Sequence, residues 1–335
     1  MAERTSISQT VAIGAEATSG TPVAATKRLG SIGFAMGIQT ETQNRRPNGQ
    51  KYANLVTLGK EWTEAEIEGS PVYTELQYLM ASLVNAPVVT PIMDGATPTG
   101  AFRWVFESDT FGEDSPVTFT LEQGSSARAH RVSNGIVTDL SLSWDREELE
   151  LEGTLLARAL EDGIALSPNP TMAPQVPVLP KDVSVFLDDD FASLGSTKML
   201  RALSGEINFE SRFAPLWVVD ADQPSFVTTI EGEPEVGFSI TQMADSQAMA
   251  NLIAMRGGAT RFLRWQARGP VIHTPETGDP IRHSFTVDMA GQVSEVEEFD
   301  DEDGVYGIGW NFGTVHDPEW GKAYRVELVT NVGTL

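Results

Sequence analysis

Two hydrophobic periods alternate along the chain. From Trp62 to Glu68, Ala65 and Ile67 fall on one side and Glu64, Glu66 and Glu68 on the other, the pattern of a half-buried strand. Gly69-Ser70-Pro71 follows, and then Tyr73, Leu76, Leu79, Met80, Leu83 and Val84 share one stripe of a period of about 3.6 residues. Ser70 can cap a helix, and Pro71 suits the first helical position because that N–H has no helical partner. The stretch predicts a strand leading straight into an amphipathic helix over Tyr73–Val84 that needs a sheet to lie on.

The arrangement returns later. Glu235–Ile240 alternates, and Ala244–Met255 carries Ala248, Met249, Leu252 and Ile253 on a helical face, with Gly257 placed to stop it. Spacings agree within loop-length variation: 173 residues from Leu79 to Leu252, 161 from Trp104 to Trp265 and 166 from Phe119 to Phe285. Two tandem copies of one unit are expected.

Between and around these landmarks the chain reads as antiparallel β. Residues 1–28, rich in Ala, Thr, Ser and Gly, predict an extended arm with little core of its own. Leu29–Thr40 and Ala53–Glu68 predict a long hairpin whose polar tip contains Arg45, Arg46, Asn48, Gly49 and Lys51, Asn48-Gly49 being a tight-turn signal. Asn85–Gly100 reads as a proline-rich connection. Strands are expected at Phe102–Glu107, Val117–Glu122, Ala127–Val132, Ile136–Trp144 and Leu149–Ala157. Five prolines in 166–180 predict an extended inter-domain linker. The expected units are therefore an arm over 1–28, a β domain over 29–165, the linker, and a second β domain over 181–335. In the second, Val183–Leu187, Leu203–Phe213, Phe226–Ile240, Val305–Phe312 and Ala323–Leu328 read as strands.

Composition narrows the function. The 335 residues are 41% hydrophobic and 21% charged, a globular balance. Cysteine is absent, which removes disulfides, thiol nucleophiles and Cys-ligated zinc. A formal charge of −24 argues against a nucleic-acid-binding surface, because such binding rests on Lys and Arg neutralising phosphates. No apolar run approaches the roughly 18 residues of a spanning helix, and no signal peptide is evident, so neither a membrane nor an export route is expected.

Catalytic constellations are missing. His130, His273, His283 and His316 stand apart, and no nucleophile elbow, phosphate loop or His-Glu-x-x-His occurs. Asp188–Asp190 and Asp300–Asp303 lack the alternating spacing of a calcium loop, so solvated loops are expected, with no metal and no cofactor. More informative are the Glu64, Glu66, Glu68 and Glu148, Glu150, Glu152 triplets, each setting three carboxylates on one face of a strand. Lysine-free alternation fits a face that must stay negative.

A Gly20-Thr21-Pro22 arm, a long hairpin with a polar tip, a strand running into one helix at Tyr73–Val84, and antiparallel strands ending in Leu140–Trp144 and Leu149–Leu155 together resemble the major tail (tail tube) protein of long-tailed, non-contractile bacteriophages. The resemblance implies a mainly β chain of tandem antiparallel β-sandwich domains, each with one flanking helix, and a virion protein rather than an enzyme. It implies that copies join sheet edges into rings that stack into a hollow tube, assembled in the host cytoplasm, with DNA passing through unbound. A duplicated unit gives a trimeric ring with pseudo-sixfold symmetry; a second half that is mere decoration gives a hexamer. Tape measure, tail terminator and distal tail proteins are the implied partners. The acidic triplets are expected to face the lumen and the Arg45, Arg46, Asn48, Gly49, Lys51 tip the adjacent ring, whereas the second unit's tip, Pro215–Gln223, is apolar and acidic and cannot make the same contact. The competing expectation is a carbohydrate-binding or carbohydrate-active β-sandwich using Trp217, Trp310 and Trp320 as sugar platforms; a capsid or baseplate component is a third.

Overall fold

Alternation at Glu64–Glu68 belongs to a strand much longer than the acidic triplet. In the computed structural model, which describes residues 9–220, 224–297, 300–302 and 304–335, the described residues form 21 strands and two α-helices. The first half contains β1 (Thr10–Ala15), β2 (Lys27–Leu29), β3 (Ile32–Arg45), β4 (Leu55–Gly69), α1 (Leu76–Leu83), β5 (Val88–Asp94), β6 (Thr97–Phe106), β7 (Phe119–Ser125), β8 (Arg128–Trp144) and β9 (Leu149–Ala157). Two short strands, β10 (Glu161–Asp162) and β11 (Thr171–Met172), follow. The second half contains β12 (Val183–Asp188), β13 (Ala202–Glu210), β14 (Phe213–Leu216), β15 (Thr228–Glu231), β16 (Glu235–Met243), α2 (Ser246–Gly257), β17 (Arg261–His273), β18 (Ile281–Val296), β19 (Asp300–Glu302), β20 (Val305–Thr314) and β21 (Tyr324–Thr330). The chain is mainly β, as expected.

Strand pairing follows one path twice. In the first half β3, β4, β9 and β8 lie side by side, all antiparallel, and the row Met36–Ala65–Leu155–Val137 crosses them. In the second half β13, β16, β20 and β18 do the same along the row Ile207–Phe238–Phe312–Val293. A register shift follows each row's last residue, between Val137 and Asp139 and again between Val293 and Glu295. A register shift thus recurs at the same place in the two four-strand rows. Ala65 and Phe238 are 173 residues apart, the same spacing as Leu79 and Leu252 in the helices. Beyond the helices the correspondence differs from the expected one: β17 pairs with β18 and β12 as β7 pairs with β8 and β1, so β17 answers to β7. β5 and β6 form an additional hairpin where a proline-rich connection was expected, Pro91 being accommodated inside β5.

The halves are joined rather than merely linked. β8 runs on from its own sheet to pair with β13, Leu142 opposite Ile207 and Leu140 opposite Phe209, and β6 pairs with β21. One hydrophobic core takes Phe34, Leu140 and Trp144 together with Phe238, Trp265 and Trp310. Trp144 packs 5.5 Å from Phe238 and 5.7 Å from Trp265, ring centre to ring centre. Residues 166–180 are held along this body: Thr171 and Met172 pair with β2, the Tyr73 N–H donates to the Val176 carbonyl at 3.0 Å, and the Val178 N–H to that of Pro71 at 2.9 Å. Those bonds explain why α1 begins at Leu76 and not at Pro71, with Glu75 preceding it. The Glu75 carboxylate, buried, accepts from the Gly30 and Ser31 N–H groups, the Ser31 hydroxyl and the Gln175 amide.

Three further expectations are revised. α1 is buried on every side instead of along one stripe, because the second half covers what the first leaves open. The arm over 1–28, of which residues 1–8 lie outside the described residues, contributes β1, whose Ala12 and Ile13 are core. Finally, β8 is one strand where two were expected; Asn134 takes a positive φ of 54° without ending it. No helix among the described residues is long and apolar enough to cross a membrane.

Candidate functional site

Antiparallel register decides where the acidic triplets lie. Glu68 stands opposite Glu152, Glu152 opposite Ser141, and Ser141 opposite Asn208, so one row of the exposed sheet face runs from β4 through β9 and β8 into β13. One shallow concavity gathers Glu66, Glu68, Asp139, Glu152, Glu206 and Glu210; its neighbour gathers Asp145, Glu148, Glu150 and Glu206. No Lys, Arg or His lines either. The structure therefore brings Glu66, Glu68, Glu148, Glu150 and Glu152 onto one surface. Glu148 sits in the Asp145–Glu148 turn before β9, its N–H donating to the Asp145 carboxylate at 2.8 Å.

Glu64 stands apart from these concavities, at the border of the acidic face. Opposite it is Leu156, which packs with Ile136, Phe213 and Phe226 in a separate small apolar cluster against Trp62 and Trp217. Asp139, Glu206 and Glu210 are additions that the sequence reading missed. The signal was available, since Glu206-Ile207-Asn208-Phe209-Glu210 repeats the period-two pattern of β4. Close carboxylates on a solvated face leave their charge in water, and Ser141 relieves part of it by donating its hydroxyl to Glu206 at 2.5 Å.

The expected hairpin tip is an exposed arm. β3 and β4 remain paired out to Arg45 and Leu55, and Arg45, Arg46, Asn48, Gly49 and Lys51 are all exposed at its end. Gly49 has a φ of 82°, the left-handed backbone that the Asn-Gly turn requires. Exposed apolar side chains, Tyr52, Leu55, Val56 and Leu58, line the returning strand. The corresponding tip of the second half behaves differently. β14 and β15 fold back over the base of the arm, where Trp217 packs edge-on at 5.6 Å from Trp62, Lys60 lies 5.0 Å over the Trp217 ring, and the Glu61 N–H donates to the Pro224 carbonyl. Residues 221–223 of that tip lie outside the described residues.

Other candidates resolve into structure. The Asp188 carboxylate accepts from the Gly195, Ser196 and Thr197 N–H groups, Asp190 accepts from the Ser193 N–H, and Asp189 pairs with Arg261. Asp303, and with it the end of the second acidic run, lies outside the described residues, and among those described no three acidic or imidazole groups converge as metal ligands. Burial pushes the His130 and His283 imidazoles below their ordinary value; for His130 the nearby Asp162 opposes this and Arg128 adds to it. His273 lies 3.1 Å from Asp94, and the His316 ring faces Phe111. Of the tryptophans considered as sugar platforms, Trp310 is fully buried, Trp320 stacks on Phe191 at 4.9 Å, and Trp217 covers Trp62.

A scan against protein-family models gives no match, and a search of curated proteins gives none either.

Proposed function

We propose that this chain is the subunit of a hollow tube, the tail tube of a long-tailed bacteriophage, through which DNA passes during ejection. The observation that carries the reading is the single acidic sheet face, continuous from β4 to β13 across both halves and lined by no cation in its concavities. DNA holds to proteins through Lys and Arg contacts that displace its counterions, so a wall of carboxylates passes a phosphate backbone without retaining it. Rolled into a lumen, this face is a conduit.

Free strand edges supply the means of rolling it. Among the described residues β3 pairs with β4 alone, and the last turns of β18 pair on one side only, with β20. Open edges invite association unless they close on one another, and a head-to-tail contact that closes generates a ring. The matched bulges favour two tandem β-sandwich units per chain, so three chains supply six. Rings then stack through the cationic arm, one per chain, since the second half's tip is folded down.

Negative-stain electron microscopy of the purified chain over rising concentration tests this. Hollow tubes or stacked rings with threefold-modulated sixfold end views are expected; particles that stay the size of one chain at every concentration would overturn it.

A further inference from the structure

The chain already makes, once and internally, a junction for which it carries the two unmatched halves. In the internal junction the edge of β8 pairs with β13, and α1 backs the seam: Leu76 and Met80 share one small void with Leu140, Leu142, Ile207 and Phe209. Alignment through the matched rows assigns counterparts to Ile207, Phe209, Leu76 and Met80. Met36 and Ile38 lie 171 residues before Ile207 and Phe209, and Met249 and Ile253 lie 173 after Leu76 and Met80. On β20, Tyr306 lies 157 after Leu149, as Phe312 does after Leu155.

Burial separates the two sets. Met80, Leu149 and Phe209 are 2%, 4% and 3% exposed, while their counterparts Ile253, Tyr306 and Ile38 are 76%, 75% and 55% exposed. Sequence kept these positions apolar in both copies, yet only one copy is covered. Large apolar side chains left bare at matched positions mark a surface completed by something else, and the internal junction shows what shape completes it.

We propose that the outer face of α2, with Tyr306, is the seat for the β3 edge of a second copy of this chain, Ile38 entering over Ile253 as Phe209 enters over Met80. The strand partner that β3 finds there is the end of β18, with Ile38 set opposite Val296 as Phe209 is set opposite Leu140. Such a contact is heterologous, each copy offering its β3 to one neighbour and its α2 to the other, and so propagates around a ring. The inference rests on the tube reading for the existence of self-association and adds the location and register of the contact.

With no native cysteine, a doubly substituted chain carrying Ile38→Cys and Ile253→Cys reports the contact directly under a short bis-maleimide. A ladder of covalent multiples that stops at the ring number, and is missing from either single variant, is the expected result. Rings or tubes that form without this linkage overturn the seat and leave the tube reading standing; linked closed oligomers that never stack support the seat and count against the tube. Unassembled chains without linkage overturn both. Ile253→Asp, at a position exposed in the single chain, is expected to weaken association at least tenfold with the unfolding midpoint of the monomer unchanged, and unaltered association overturns the proposal.

Discussion

The guanidinium of Arg212, wholly enclosed, lies 2.8 Å from the carboxylate of Asp114. The same side chain donates to the carbonyls of Leu83 and Val84 at 2.9 and 3.0 Å, the last turn of α1, and reaches Glu231 at 3.4 Å. A residue of the second half thus terminates the helix of the first. Removing one member of a buried pair leaves an unpaired charge and costs about 3–5 kcal/mol. Arg212→Met is expected to lower the urea midpoint accordingly, and adding Asp114→Asn to recover part of the loss. Equal stability of Arg212→Met and the parent would show that the pair holds nothing together.

Gly205 marks the seam between β8 and β13. A Cβ there would lie 2.4 Å from the Trp144 ring and 2.6 Å from the Ser239 carbonyl oxygen, whereas a Cβ on Gly237 of the adjacent strand meets nothing within 4 Å. Overpacking of this kind costs about 1–3 kcal/mol. Gly205→Ala is therefore expected to destabilise by that amount and to red-shift tryptophan emission as Trp144 is displaced, with Gly237→Ala as the mild control. Similar denaturation midpoints for the two variants would contradict the close approach.

How far these relationships are legible in sequence depends on how local their causes are. β9 occupies Leu149–Ala157, the residues its alternation predicts, because period two and an Asp145-led turn are both short-range signals. β8 reads as two strands, Ala127–Val132 and Ile136–Trp144, but the buried Glu16 carboxylate accepts from the Asn134 N–H at 2.9 Å and holds one strand through the interval between them. The Glu triplets are visible as faces, yet nothing local says that β8 continues into β13, a pairing that joins residues about 65 apart through a shared core. Their convergence with Glu206 and Glu210 was hidden for the same reason.

His283 is buried against the Tyr73 ring, centroids 5.8 Å apart, and its Nδ1 has no hydrogen-bond partner. Burial holds its pKa below the ordinary 6.5, so the unfolded chain binds a proton that the folded chain resists. Stability from this group is complete above about pH 6.5 and falls as pH drops through the folded value. His130, lowered chiefly by its burial, adds in the same direction. Denaturation midpoints are expected to decline from pH 6.5 to 5.5, and less so in His283→Phe. A wild-type profile flat over that interval would falsify the linkage.

Reversing the acidic face should convert passage into retention. Glu66, Glu68 and Glu152 line one concavity, and exchanging all three for lysine places three ammonium groups where the chain otherwise offers phosphate nothing. Duplex DNA is expected to be held by the variant and not by the parent in a gel-shift assay at low salt. Each phosphate contact steepens the salt dependence by about 0.9 in log K against log salt, so affinity should fall sharply as salt rises. DNA bound equally by parent and variant would remove the face from the conduit.

The cationic arm should govern stacking separately from ring closure. Beyond Ile38, β3 carries its ribbon on to Arg45, roughly 23 Å at about 3.3 Å per residue, and Arg45, Arg46 and Lys51 sit at the end of it on a chain of net charge −24. Lys60 nearer the base is already engaged, 3.2 Å from Glu41 and over Trp217, so the tip holds the charge that reaches a neighbour. An acidic surface above or below attracts it, and mobile ions weaken that attraction within about 3 Å at 1 M salt. Exchanging Arg45, Arg46 and Lys51 for glutamate is expected to give closed rings that no longer elongate, and molar salt to shorten tubes of the parent, both read from particle lengths in micrographs. The contact at α2 is made by the uncharged side chains of Ile38, Ile253 and Tyr306, so ring closure itself should persist under both treatments. Tubes of full length in the charge-reversed variant would mean that Tyr52, Leu55, Val56 and Leu58, the exposed apolar residues on the arm, make the contact instead.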